Sequence, residues 1–159
     1  MRNRSLMVGI AVLVVLCWSA SSFVWGEKCK EVVIGKTHVG PILYGPENCD
    51  GYDGCATSKI SGTFSGTLFE AFYEDDFYFV VDDTYAFTNY GVIETKQGEL
   101  FFTELSVADF AAPDGFAMHA NVTGGTGRYE GATGWMAYCG NFEGTDIKWV
   151  GEVCWPDEE

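Results

Sequence analysis

Lys59-Ile60-Ser61-Gly62-Thr63-Phe64-Ser65-Gly66-Thr67-Leu68-Phe69-Glu70-Ala71-Phe72-Tyr73 decides the fold class of this chain. One parity carries Ile60, Phe64, Leu68 and Phe72, and the other carries Ser61, Thr63, Ser65 and Thr67. Apolar and polar residues alternating with period two mark a strand with a dry face and a wet one. The stretch is expected to form one long strand that bends at Gly62 and Gly66.

The same rhythm extends in both directions. Phe77 to Val81 is uniformly apolar and β-rich, as a strand buried on both faces would be. Tyr85 to Thr88, Val92 to Thr95 and Leu100 to Leu105 follow, with Asp82-Asp83-Thr84, Asn89-Tyr90-Gly91 and Lys96-Gln97-Gly98 read as turns. Phe116, Met118, Ala120 and Val122 alternate with Ala117, His119 and Asn121. Trp135 to Phe142 and Asp146 to Trp155 close the series, joined by Glu143-Gly144-Thr145. Ile147, Trp149, Val153 and Trp155 share a face of the last strand. Only Ser106 to Ala112 reads as a short helix, ended by Pro113-Asp114-Gly115. Roughly eight strands with short turns and no helix of three turns specify an all-β domain, either a closed antiparallel barrel or a sandwich. The 20 glycines suit closure, because small barrels bend sharply and bring strands close.

Residues 1–26 follow a different logic. Arg2 and Arg4 precede Leu6 to Trp18, which carries no charge, and then come Ser19, Ala20, Ser21 and Ser22. This is the layout of a secretory signal peptide, and the apolar run is short of the ~20 residues of a spanning helix. Cleavage is expected after Ser22 or after Gly26. The remainder, 27–159, has no linker rich in Pro, Ser or charge and reads as one domain. The mature chain is thus expected to be secreted, with no membrane insertion once the leader is gone.

Formal charge is -14 with 9 Lys+Arg against 23 Asp+Glu. Such a surface repels nucleic acid and anionic lipid and keeps copies of the chain apart. Cys29, Cys49, Cys55, Cys139 and Cys154 follow the leader, and an oxidising compartment makes disulfides their default state. Five is odd, so one thiol is left over. Cys49 and Cys55 bracket a tight loop and are the first expected pair; Cys139 and Cys154 are the second. No CxxC or HxxxH spacing supports zinc, and the acidic loop around Asp50 and Asp53 lacks the closing Glu of a calcium loop. No metal or cofactor is expected.

Thr123-Gly124-Gly125-Thr126-Gly127-Arg128-Tyr129-Glu130-Gly131-Ala132-Thr133-Gly134 is the sharpest local motif. A phosphate loop would need Gly-Lys-Ser/Thr opening a helix, and here a strand follows with no lysine. Gly124, Gly125, Gly127, Gly131 and Gly134 therefore read as structural, serving a tight turn and close strand packing. The segment resembles the GGTGxFxxAxG motif of plant dirigent proteins and of related bacterial secreted proteins with the allene oxide cyclase barrel. The matching positions are Gly124, Gly125, Thr126, Gly127, Tyr129, Ala132 and Gly134. That resemblance implies an eight-stranded calycin-like barrel around an apolar cavity, which in better-known members steers cyclisation or coupling of a hydrophobic molecule. The arginine of the usual small-Arg-Gly ending is replaced by Thr133, and no catalytic residue carries over.

Chemistry-bearing residues are few. Glu70 shares parity with Leu68 and Phe72, and Glu104 shares parity with Leu100 and Phe102. A carboxyl facing the interior would have a raised pKa and could serve as a general acid; the competing reading turns both to solvent. His119 is a possible base, although Asn121 in the same parity favours the surface. Tyr78, Tyr85 and Tyr138 could hydrogen-bond a ligand. No Ser-His-Asp or Cys-His set is discernible, which disfavours a hydrolase. The expected partner is a small apolar molecule. The alternative is a non-catalytic secreted structural or interaction protein whose barrel its own side chains fill, and a cavity of about 300 Å³ or more would favour the first.

Overall fold

The computed structural model describes residues 31–109, 111–112, 115–140 and 147–155. The expected leader lies outside these residues, as do Pro113-Asp114 and the Glu143-Gly144-Thr145 connector. Ten strands form: β1 Glu31–His38, β2 Ile42–Tyr44, β3 Gly54–Gly62, β4 Gly66–Phe72, β5 Phe77–Val81, β6 Thr84–Thr95, β7 Gly98–Asp109, β8 Phe116–Gly125, β9 Thr133–Gly140 and β10 Ile147–Cys154. Eight of them close an antiparallel barrel in the order β1-β10-β9-β8-β7-β6-β4-β3, and β3 returns to β1 through Gly35↔Gly62 to His38↔Lys59. The remaining two are short additions. β2 pairs with the start of β3, and β5 pairs with the start of β6 beyond the reach of β4.

Alternation sorts the side chains. Val33, Ile60, Leu68, Ile93, Leu100, Phe102, Ala120, Met136 and Val153 all point into one buried core. Their neighbours on the opposite parity face out. On β8 the inward set is Phe116, Met118, Ala120 and Val122, as the pattern predicts.

Several expected elements are corrected. Lys59 to Tyr73 is two strands rather than one, because Gly62 adopts φ +117° and the chain reverses before Gly66. Phe64, in that reversal, falls inward and is buried. Asn89-Tyr90-Gly91 is no turn; β6 runs through it without interruption. Phe102 explains the glycine there, since a Cβ on Gly91 would occupy the space of its ring. Ser106 to Asp109 continues β7 instead of starting a helix. Phe77 to Val81 is a strand but is not buried on both faces: Tyr78 is 63% and Phe79 64% exposed. β5 lies past the edge of β4, so nothing covers its outer surface among the described residues.

Candidate functional site

The two ends of the barrel differ. At the end where β3 meets β4 and β8 meets β9, aromatic rings fill the interior. Phe64 stacks on Trp149 at 5.7 Å and meets Tyr129 edge-on at 5.7 Å, while Tyr129 meets Trp155 at 5.6 Å. The glycine-rich motif builds this seal. After β8 the chain makes a 3-10 turn over Gly127–Tyr129 that drops Tyr129 into the core, with Gly127 at φ +57°. Gly134, at φ +134°, then lets β9 pass so close to β10 that a Cβ would strike the Glu152 carbonyl. The motif is structural, as the residue types indicate.

At the opposite end a cavity of about 70 Å³ opens among Val39, Ile42, Leu68, Phe72, Phe87, Phe116 and Met118, with Thr37, Glu70, Asn89 and Tyr138 among its polar lining. Glu70 enters from β4 and Glu104 from β7. Gly91 of β6 stands opposite Glu70, and Asn89 stands opposite Glu104. Both carboxyls point inward, and Glu104 is only 1% exposed. They come within hydrogen-bonding reach of each other. As two carboxylates neither has a proton to donate, which leaves Oε1 of Glu70 and both Glu104 oxygens without a donor. Protonation of one carboxyl relieves the repulsion between them, the direction in which burial moves both.

Burial raises the Glu104 pKa well above the ordinary carboxyl range, the adjacent Glu70 charge and hydrogen bond add to the rise, and Asn89 opposes it. Asn89 is near enough to favour the ionised form, but its Nδ2 donates in good geometry to Ser106 Oγ at 3.2 Å rather than to Glu104. Burial also raises Glu70, and the contact with Glu104 pulls it back. Of the two, Glu104 carries the stronger bias toward the protonated form. Tyr138 is raised well above its usual value by burial and then by Glu104 and Glu70, so it stays a neutral phenol. Its hydroxyl makes only a long contact with Met136 Sδ, 3.9 Å.

Of the residues singled out from sequence, Glu70, Glu104 and Tyr138 come together here. His119 does not: it is exposed on the outer wall, stacked on Trp135 at 6.0 Å, because its parity faces away from the core. Tyr78 is exposed on β5, and Tyr85 packs against Phe79 near the mouth; neither lines the cavity. Cys49 and Cys55 form the expected bridge, with Cα atoms 5.5 Å apart, in a small cluster outside the barrel wall. The expected Cys139–Cys154 pair does not form. Cys139 is a free, exposed thiol facing outward from β9, and Cys154 is bridged to a partner outside the described residues. Thr37 and Asn89 were missed as lining residues. Thr37 lies on a strand whose apolar residues occupy both parities, and Asn89 sits in a tripeptide that resembles a turn.

No group of three or more His, Cys, Asp or Glu is placed to hold a metal among the described residues. No helix among them is long and apolar enough to cross a membrane. Comparison with protein-family models, curated proteins and solved structures finds no match to this chain, so the site is read from its own geometry.

Proposed function

We propose that this chain is a secreted β-barrel that binds a small hydrophobic molecule, or the apolar portion of a larger one, in the open half of its interior. The observation that carries the reading is an apolar-walled cavity with half-buried Glu70 on its wall and buried Glu104 beside it. At about 70 Å³ it falls short of the roughly 300 Å³ of a drug-sized pocket, so the ligand seats one small group and extends through the mouth. Protonated Glu104 beside Glu70 supplies an acid and a base in a dry site, the equipment for cofactor-free cyclisation or coupling. The dirigent-like motif at residues 124–134 supports the same reading. The leader supports export, and amino-terminal sequencing of the released protein should then begin at Phe23 or Glu27.

A neutral hydrophobic fluorophore titrated against the protein should bind saturably with one site per chain. Ala56→Phe, which narrows the cavity wall, should abolish that signal. Absence of saturation, or binding indifferent to Ala56→Phe, contradicts the reading.

A second reading, a non-catalytic interaction protein with a barrel filled by its own side chains, draws on the solid aromatic half and on the uncovered apolar surface of β5. It requires fluorophore binding at β5, which Phe79→Lys would remove and Ala56→Phe would not.

A further inference from the structure

We propose that the open half of the barrel selects a small organic cation: a molecule with an apolar body and one protonated nitrogen, whose N–H groups are received by Glu70, Asn89 and Thr37 with Glu104 beneath them. This rests on the cavity reading above and specifies the ligand that the cavity takes.

The argument begins with the hydrogen-bond inventory of the cavity. Thr37 is 2% exposed and Asn89 6% exposed; both line the space, and their Oγ1 and Oδ1 atoms have no partner. Oε1 of Glu70, on the same wall, has no partner either, nor do the two oxygens of Glu104, which does not line the cavity. Four of these five atoms can only accept while the carboxyls are ionised. Asn89 Nδ2, a donor on the same wall, is turned to Ser106 Oγ. A buried acceptor without a donor is costly, so the complementary ligand brings donors. No Lys or Arg lines the cavity to supply positive charge from within.

Charge around the entrance points the same way. The connections at the open end carry Glu47, Asp50, Glu74, Asp75, Asp82 and Asp83. With the overall charge of -14, these residues give the entrance a negative potential that concentrates cations and disperses anions. Phe72, Phe87 and Phe116 furnish aromatic walls against which a cationic head is favourable and an apolar body is desolvated. Burial favours the protonated form of Glu104, so the carboxylate that faces the cavity and pairs with the ammonium is that of Glu70.

Benzylamine, benzyl alcohol and toluene share one shape and differ in the donor and its charge. Isothermal titration of the exported protein at pH 7 should find benzylamine bound about tenfold or more tighter than benzyl alcohol, the range expected of hydrogen bonds to a charged group. Glu70→Gln should erase that preference while leaving toluene within about twofold of its original affinity, because the apolar wall is intact. Glu70→Met is the second variant should the first not fold, with the same expectation. Equal or tighter binding of benzyl alcohol or toluene overturns the proposal and leaves the cavity reading standing. A benzylamine preference that survives the substitution assigns the cation to the acidic rim and overturns it also. Failure of all three to saturate overturns the cavity reading and this proposal with it.

Discussion

Where Phe64, Tyr129, Trp149 and Trp155 meet, the barrel is filled ring against ring; where Phe72, Phe87 and Phe116 stand, the same eight strands leave space. The difference lies in the connections. At the closed end, chain segments cross the axis: Phe64 comes from the β3–β4 reversal, Tyr129 from a 3-10 turn and Trp155 from the residue after β10. At the open end, two of the described connections lie away from the axis. The Cys49–Cys55 loop packs against Ala71 on the outer wall, and β5 folds back along β6 instead of spanning the mouth. Buried polar atoms divide likewise. The closed half leaves two indole donors, Trp149 Nε1 and Trp155 Nε1, without partners, and the open half leaves acceptors. One end is packed ring against ring, and the other leaves buried acceptors unpaired among the described residues.

Substitutions that treat the halves alike should give unlike results. Phe64→Ala should cost about 3–5 kcal/mol in urea unfolding, as loss of a buried ring does, while Phe72→Ala at the half-buried mouth should cost less than about half of that. Equal losses would erase the distinction. Next in size, Cys49→Ser should cost about 2 kcal/mol, the effect of a short closed loop, and leave fluorophore binding in place. Gly134→Ala should cost about 1–3 kcal/mol, because an L side chain is strained at φ +134° and meets the Glu152 carbonyl.

The smallest stability effect is the most specific. Glu104 has a folded pKa raised above its unfolded value, so the folded chain holds its proton more tightly. Stability from this group is complete below the unfolded value near 4.5 and declines as pH rises through the folded one. Glu70, raised in the same direction, adds to the decline. Glu104→Gln should remove most of that slope and raise the melting temperature by on the order of a few degrees at pH 8, with little change at pH 4. Melting curves of the two proteins across this range decide it, and parallel pH profiles would count against a buried pair.

The expected eight-stranded barrel is present, yet its membership differs from the reading of the sequence. Lys59 to Tyr73 divides into β3 and β4, the two segments flanking Asn89 join as β6, and β5 lies off the barrel. β1 takes the vacated place. It is hard to see in Glu31–His38 because Val32 and Ile34, on the outer parity, are exposed apolar residues, so no polar and apolar alternation marks the strand. Parity is the signal that bears on the site: Glu70 and Glu104 share it with inward apolar residues, which leaves a solvent-facing reading open that the structure removes for Glu104, and His119 shares it with Asn121 and faces out. Cavity shape was not legible, since it depends on which connections cross the axis, and Phe64 and Tyr129 read as ordinary strand and turn residues.

The account stands on two adjacent carboxyls inside the open half, Glu104 biased toward its protonated form, and carbon-13 titration of the glutamate carboxyl resonances observes this directly. The prediction is that Glu104, assigned through its loss in Glu104→Gln, stays protonated well above the 4.5 of ordinary glutamate carboxyls. A Glu104 resonance that titrates with them would mean the carboxyl is solvated, and the buried acid pair would not exist.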